Sequence, residues 1–534
     1  MTKKSFIKGA AVLGAAGLIV KLIGVIYRIP LQWIIGDDGL GIYHKAYPAY
    51  ALLLMISTAG LPPAVSKLVA SHMARGDKAG ANKVFRVALG LLSAAGLVAS
   101  LILFVFSKQI AVIWAKDPLA QMSIAYIAPA IFFVAIMAAV RGYFQGMQNM
   151  YPTAMTQLVE QVGKVAMGLV FASLLIPRGI EYGAAGAILG VMASEFIAMA
   201  VILIYYFVKR EKTEIAAQDY EKTNEILKRI LKLAIPILIG ASIMPLITFL
   251  DANIISDRLL SIGFTQDTAR PIFGIYTGRV NPLINVPGTV SLAFCVSIVA
   301  AVSSYLAVDD MNEVRRNTRM GFKMAMLVGI PSAVGLGVLS TPIMNLLYHS
   351  SSPESNQLAG NLLAILAGGV IFLSILQTLN GVLQGLGKVM VPVAALGCGA
   401  VVKVVLSYVL IGIPEIGIYG APISTFACYT IAAVIDIVMV KKLTGVKFGM
   451  MECVIRPALA SAVMGAAALV IYYLTRGIIG GSFATLAAVL IGIFVFLICI
   501  PVFNVMRRTE IIALPGGRRL VKAYDKLSWG RKNA

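Results

Sequence analysis

The sequence predicts an all-α polytopic membrane protein. Three observations carry this: 59% of the 534 residues are hydrophobic and only 13% are charged, the mean hydropathy is +0.88, and apolar runs of about 20 residues, the length a bilayer crossing needs, recur along the whole chain. Soluble globular domains do not combine these values. Fourteen spans follow, at 9–35, 46–70, 84–107, 118–146, 152–176, 183–208, 230–256, 274–305, 320–341, 357–386, 390–413, 418–440, 454–475 and 482–506.

Taken in order, span one opens after Lys3, Lys4 and Lys8 and imitates a secretory signal. Its apolar run is too long for one and lacks a convincing cleavage site, so it counts as a helix. Span two carries Pro62-Pro63, span seven Pro236 and Pro245, and span eight Pro282 and Pro287 near its start. Such breaks suit hinges, and static kinks are the plainer alternative. Between spans six and seven lies the polar linker 209–229, and beyond span fourteen the basic tail 507–534. The tail reads as a segment lying on the membrane surface.

The net charge of +21 is a matter of placement. Thirty-one of the 45 Lys and Arg fall in alternate segments, among them the start, 209–232, 441–456 and the tail, about four for every one in the outer loops. This is the positive-inside pattern, which puts both termini in the cytoplasm of a plasma membrane. The charge therefore reads as topology and attraction to anionic lipids rather than a nucleic-acid footprint. Five scattered cysteines and three isolated histidines show neither a disulfide framework nor metal-ligand spacing, and no cofactor is expected.

An internal repeat organises the helices. Gly142, Gln145, Gly146 and Lys164 match Gly381, Gln384, Gly385 and Lys403 at an offset of 239, and Pro152 matches Pro392 with one insertion. The stretches 74–86 and 307–319 align weakly at an offset of 233, and Tyr182-Gly183-Ala184 aligns with Tyr419-Gly420-Ala421. Six spans per repeat, an even number, give a parallel repeat. The expected domains are a six-helix lobe at 1–208, the linker, a second lobe at 230–441, helices thirteen and fourteen at 442–506, and the tail.

Charges inside the spans mark candidate function, since an ionised residue at mid-bilayer costs at least about 2.5–3.5 kcal/mol. Gly14, Gly17, Lys21, Gly24 and Arg28 follow steps of 3, 4, 3 and 4 and share one helix face. Small residues let helices pack closely, yet a dry contact is a poor place for two cations, so a wet crevice is expected there. Lys164 and Lys403 hold equivalent mid-span positions. Glu160, four residues before Lys164, is placed to neutralise it, and Gly399 stands where Glu160 does. Arg141 and Arg279 lie nearer span ends, and Lys67 at a rim. Embedded acids are Glu160, Glu195, Asp251 and Asp436, of which Asp251 and Asp436 are candidate ligands of a coupling cation. The balance is cationic, so an anionic cargo is expected, a pyrophosphate being the natural match for two or more Lys/Arg groups.

Three stretches, "LGIYHKAYPAYALLLMISTAGLPPAVSKLVA" (40–70), "RGYFQGMQNMYPTAMTQLVEQVGKV" (141–165) and "YTGRVNPLINVPGTVSLAFCVSIVAAVS" (276–303), with "RRTEIIALPGGRRLVK" (507–522), resemble the multidrug/oligosaccharidyl-lipid/polysaccharide (MOP) exporter superfamily, in its branch of stage V sporulation protein B and MurJ-type lipid II flippases. The resemblance implies fourteen helices, a cleft between two lobes, and movement of an undecaprenyl-pyrophosphate-linked peptidoglycan precursor to the outer leaflet of a bacterial plasma membrane. It implies that Lys21 or Arg28 and Arg279 meet the pyrophosphate. Lys67 is the one cation of span two, where that family carries an arginine. The "RGYFQGM…PT…EQ" stretch brings Arg141, Gln145, Gln157 and Glu160 into the reading. Cell-wall synthesis proteins are the protein partners it suggests.

Rival readings are an enzyme, a cation-coupled drug exporter of the same superfamily, and an assembly factor that does not transport. The enzyme would use Asp37-Asp38 in "GDDG", which the flanking glycines mark as a turn; no GxSxG, HExxH or P-loop pattern occurs. The chain is not expected to be an enzyme, and a drug exporter would want an acidic cleft.

Overall fold

In the computed structural model, which describes residues 3–58, 60–209, 222–506 and 510, helices carry the chain and no strand occurs among the described residues. They run as α1 (Lys3–Thr58), α2 (Leu61–Ala74), α3 (Lys78–Val105), α4 (Gln121–Gly146), α5 (Tyr151–Leu175), α6 (Ile180–Lys209), α7 (Thr223–Ser261) and α8 (Gln266–Gly274). A π-helical turn, Ile275–Val280, leads into α9 (Asn281–Leu306). Then follow α10 (Met311–Val338), α11 (Ser340–Leu347), α12 (Pro353–Ala367), α13 (Gly369–Gly385), α14 (Met390–Ile411), α15 (Gly420–Thr444), α16 (Arg456–Ile479) and α17 (Gly481–Val502). Most of the linker and of the basic tail lies outside the described residues, as do the surroundings of Gly14.

Among the described residues, eleven helices are long and apolar enough to cross a membrane, or twelve if α12 and α13, bent by 46°, make one span. The expected fourteen differ in two places. One stretch, Ile19–Ala74, covers the first two expected spans, although Gly36 (φ 66°, ψ −174°) breaks α1 internally. The helix α7, in the place of the seventh, is not among the eleven. Pro62 and Pro63 do not kink a span: they occupy the first turn of α2 behind Gly60 at φ 79°, where a missing N–H costs nothing.

Two compact units emerge, residues 1–278 and 279–534. The first thus contains α7 and α8, which the sequence repeat groups with the later half. Its core joins Leu31, Ile35 and Leu40 of α1 to Ile124, Ile127 and Ile131 of α4 and Ile188 of α6. A second core packs Val65, Phe85 and Val140 with Ile226 and Ile230 of α7. In the second unit Val302, Phe322, Leu379 and Val440 form the corresponding interior.

Repeated residues do the same physical work in each unit. Asp77 (φ −83°, ψ 78°) caps α3 by accepting from Gly80 N, and Asp310 (φ −84°, ψ 78°) caps α10 by accepting from Glu313 N. That Gly80 bond, with His72 Nδ1 at 2.7 Å from the same side chain, holds the Asp77 carboxyl below its usual range. Glycine pairs recur too. A Cβ on Gly142 would stand 3.0 Å from Pro62 O, and one on Gly146 2.7 Å from Val69 Cβ; on Gly381 and Gly385 they would meet Cys295 O at 2.7 Å and Val302 Cβ at 2.8 Å. In each unit, then, the four-residue spacing of glycines lets one helix seat against another at near-backbone distance.

Candidate functional site

In the first unit the glycine and lysine stripe of α1 is not sealed. A Cβ at Gly17 would meet nothing within 4 Å, Lys21 is exposed and Arg28 half-buried. At Gly24 a Cβ would meet the Gln161 amide nitrogen of α5 at 3.2 Å. Lys21 and Arg28 are seven residues apart, about 10.5 Å along the axis at 1.5 Å per residue. Arg28 is steadied by a 3.3 Å bond from Nη1 to Thr277 O.

A third cation converges on the inner end of this stripe. Lys164 Nζ lies over the rings of Tyr27 (5.9 Å) and Tyr47 (5.1 Å), and Tyr43 donates to Tyr47 Oη at 2.9 Å. Ring faces attract an ammonium through their quadrupole, so Tyr27 and Tyr47 hold Lys164 in place without supplying a counter-charge. Glu160 does not pair with Lys164 as its spacing suggested. It takes Arg141 instead, Nη2 to Oε2 at 2.9 Å.

That pairing redefines the "RGYFQGM…PT…EQ" stretch. Arg141 Nε donates to Thr156 Oγ1 at 3.0 Å and Gln145 Nε2 to Thr153 Oγ1 at 3.3 Å. These bonds clasp the end of α4 to the start of α5, so the polar atoms of Arg141, Gln145 and Glu160 are engaged within their own hairpin. Lys403, the repeat mate of Lys164, is half-buried in α14, and a Cβ at Gly399 would meet Cys428 O at 2.6 Å.

Each unit also buries a carboxylate on the helix after the repeated Tyr-Gly-Ala. Glu195 in α6 is 6% exposed and Asp436 in α15 is 0% exposed. With the Asn380 amide turned so that its nitrogen faces Asp436 Oδ2, it donates across 2.9 Å. Asp251 sits half-buried on α7 in the first unit. The two candidate coupling-cation residues thus belong to different units, and no group of three or more His, Cys, Asp or Glu gathers among the described residues.

A family profile described as "Polysaccharide biosynthesis protein" matches residues 6–305, more than half of the chain. The chain belongs to that family. A second profile, MatE, matches residues 277–409. Stage V sporulation protein B of Bacillus subtilis (strain 168) is 26% identical over 530 residues, 98% of this chain and 100% of that protein. Lipid II flippase MurJ of the same organism is 26% identical over 488 residues, 88% of each chain. A solved structure of lipid II flippase MurJ in an inward closed conformation superposes with a TM-score of 0.69 at 18% identity, covering 92% of this chain and 98% of that one. The fold is therefore that of a multi-pass membrane protein, shared with that structure and with one titled an inward-facing multidrug resistance MATE family transporter of the MOP superfamily (TM-score 0.64, 15% identity, 80% of this chain and 98% of that one).

Within this polysaccharide-biosynthesis fold, one expected ligand is withdrawn from solvent. Arg279 is 0% exposed. Its Nη1 donates to Ser355 Oγ at 2.8 Å and Ser351 Oγ at 3.4 Å, its Nη2 to Asn356 Oδ1, and its guanidinium stacks 4.5 Å from the Tyr348 ring. It acts as a clamp between the π-helical turn and α12. Arg279→Ala should lower the melting temperature of the detergent-purified protein, by a loss of about 1.5–3 kcal/mol, while substrate affinity per folded molecule stays within about twofold, a ratio that titration of bound lipid checks.

Sequence reading missed a buried ion cluster in the first unit. Asp117, 0% exposed, accepts from Lys45 Nζ at 3.2 Å and from Arg270 at 2.7 Å (Nε) and 3.3 Å (Nη2). Arg270 also reaches Asp38 at 3.5 Å and Asp267 at 3.3 Å. Asp38 of "GDDG" is thus an ion-pair partner rather than a turn residue alone. The cluster ties α1, the segment before α4 and α8 together, with Lys45 3% and Arg270 5% exposed. The one local hint was Asp117 before Pro118, a capping pair.

Proposed function

We propose that the chain is a lipid-linked oligosaccharide flippase that carries an undecaprenyl-pyrophosphate peptidoglycan precursor, lipid II or a close relative, from the inner to the outer leaflet by alternating access. The observation that carries this reading is the open α1 face, with Lys21 and Arg28 on it and Lys164 held beside it by tyrosine rings. Two phosphate groups in tandem offer anionic oxygens at a spacing that several cations can share, and Arg28 adds bidentate geometry. The relatives named for lipid II transport and for sporulation support the substrate class.

The Lys/Arg bias of the connecting segments supports a cytoplasmic position for both termini. With that orientation an unloaded cationic surface prefers the negative interior. The membrane potential, about 2.3 kcal/mol per charge per 100 mV, favours the return of the empty carrier. The drug-exporter alternative fits less well, because cationic drugs and this surface repel.

Mass spectrometry of lipids that co-purify with the wild-type protein tests the substrate class. Polyprenyl-pyrophosphate glycans enriched over bulk phospholipid are expected. Preparations that carry only bulk phospholipid at membrane proportions contradict the reading.

A further inference from the structure

The second unit holds a basic cavity far along the chain from the α1 face, and the transport reading makes no use of it. It encloses about 660 Å³ and is lined by five Lys/Arg side chains and two glutamates, a volume in the range of small-ligand sites. Arg315, Arg319 and Lys323 recur every four residues on α10, so one helix face supplies three of the cations. Gly445, at φ +69°, ends α15 and turns the chain so that Lys447 joins the lining.

The partners inside the cavity show how it treats anions. Lys323, 3% exposed, meets Glu510 Oε2 at 2.5 Å, and Arg319 Nη2 meets Glu452 Oε2 at 2.9 Å. Arg315 donates to the neutral acceptors Thr444 O (2.7 Å) and Asn312 Oδ1 (3.2 Å). Cations therefore exceed carboxylates in the lining by three. Glu510 belongs to the segment 507–534, which itself carries eight Lys/Arg. Glu510 is thus an internal anion held in a lining of net positive charge.

We propose that this cavity is a second anion site that takes a phosphate group, from an anionic phospholipid headgroup or a free phosphate ester, in exchange for the Glu510 carboxylate. Leaving a buried lysine without its anionic partner is costly, so an incoming anion favours release of Glu510 from Lys323. Anion-rich leaflets or free phosphates then control whether Glu510 occupies the cavity. On the topology proposed above, the cavity opens at the cytoplasmic surface, where basic pockets meet anionic headgroups.

The test uses the full chain carrying Lys21→Ala and Arg28→Ala, so that the α1 face does not contribute. Pyrophosphate binding is measured by calorimetry in neutral detergent, then repeated in nanodiscs of phosphatidylcholine with and without phosphatidylglycerol. Arg315→Gln with Lys447→Gln should weaken pyrophosphate binding about tenfold or more. Glu510→Gln, which removes only the internal competitor, should tighten it. If phosphatidylglycerol abolishes pyrophosphate binding, the site belongs to lipid headgroups; if it leaves binding unchanged, to soluble phosphates. Pyrophosphate and phosphatidylglycerol both failing to bind, or Glu510→Gln leaving the affinity unaltered, overturns the proposal. Should the Arg315 variant fail to fold, Glu510→Gln and Lys447→Gln alone decide it.

Discussion

Replacing Lys21 and Arg28 together by alanine is expected to abolish transport while leaving a folded, membrane-inserted protein. Lys21 is exposed and Arg28 is half-buried and donates to a backbone carbonyl, Thr277 O, so neither truncation opens a core cavity. Each hydrogen bond to a charged phosphate contributes about 1.5–3 kcal/mol, which converts to roughly 10–150-fold in affinity per cation. The pair together should weaken pyrophosphate-lipid binding by about two to four orders of magnitude, less if the two act as a unit. Lys164→Ala should cost less, because Tyr27 and Tyr47 keep the site's shape. Complementation of a flippase-depleted strain, read beside the amount of folded protein in the membrane, separates these outcomes. Full activity in the double variant removes the α1 face from the mechanism.

The largest structural effect is expected from Asp117→Ala. Removing this carboxylate leaves Lys45 and Arg270 buried, with Asp38 and Asp267 too distant or exposed to compensate fully. Breaking a buried ion pair by deleting one partner costs about 3–5 kcal/mol, a large part of the roughly 5–15 kcal/mol that holds a typical fold. The variant should melt far below wild type in detergent or fail to accumulate. Asp117→Asn keeps acceptor geometry and should lie between. Lys45→Met added to Asp117→Asn should recover stability, because apolar packing replaces an ion the site can no longer pair. An Asp117→Ala protein that melts with wild type would show that the cluster carries no net stabilisation.

How far the sequence could be read follows from the range of each interaction. Span lengths and the repeated glycine pairs are local, and each shows its pattern within a few residues. The Asp117 cluster joins residues 153 positions apart, and nothing near Asp117 or Arg270 marks them as partners; both look like loop charges. Arg279 shows a different limit. An arginine within a span reads as a ligand for cargo whether it faces a crevice or is clasped by Ser355 and Asn356 of another helix. Glu160 shows the same ambiguity at short range: Lys164 four residues on and Arg141 across the hairpin both suit it, and only the fold selects Arg141.

Leaflet exchange in proteoliposomes tests the central claim most directly. Purified wild-type protein is reconstituted with a fluorescent polyprenyl-pyrophosphate glycan, and the fraction reachable by an impermeant quencher is followed in time. The account predicts that the protein makes the inner-leaflet lipid reachable and that Lys21→Ala with Arg28→Ala stops this. Unchanged leaflet distribution by a protein that still binds the lipid would contradict it.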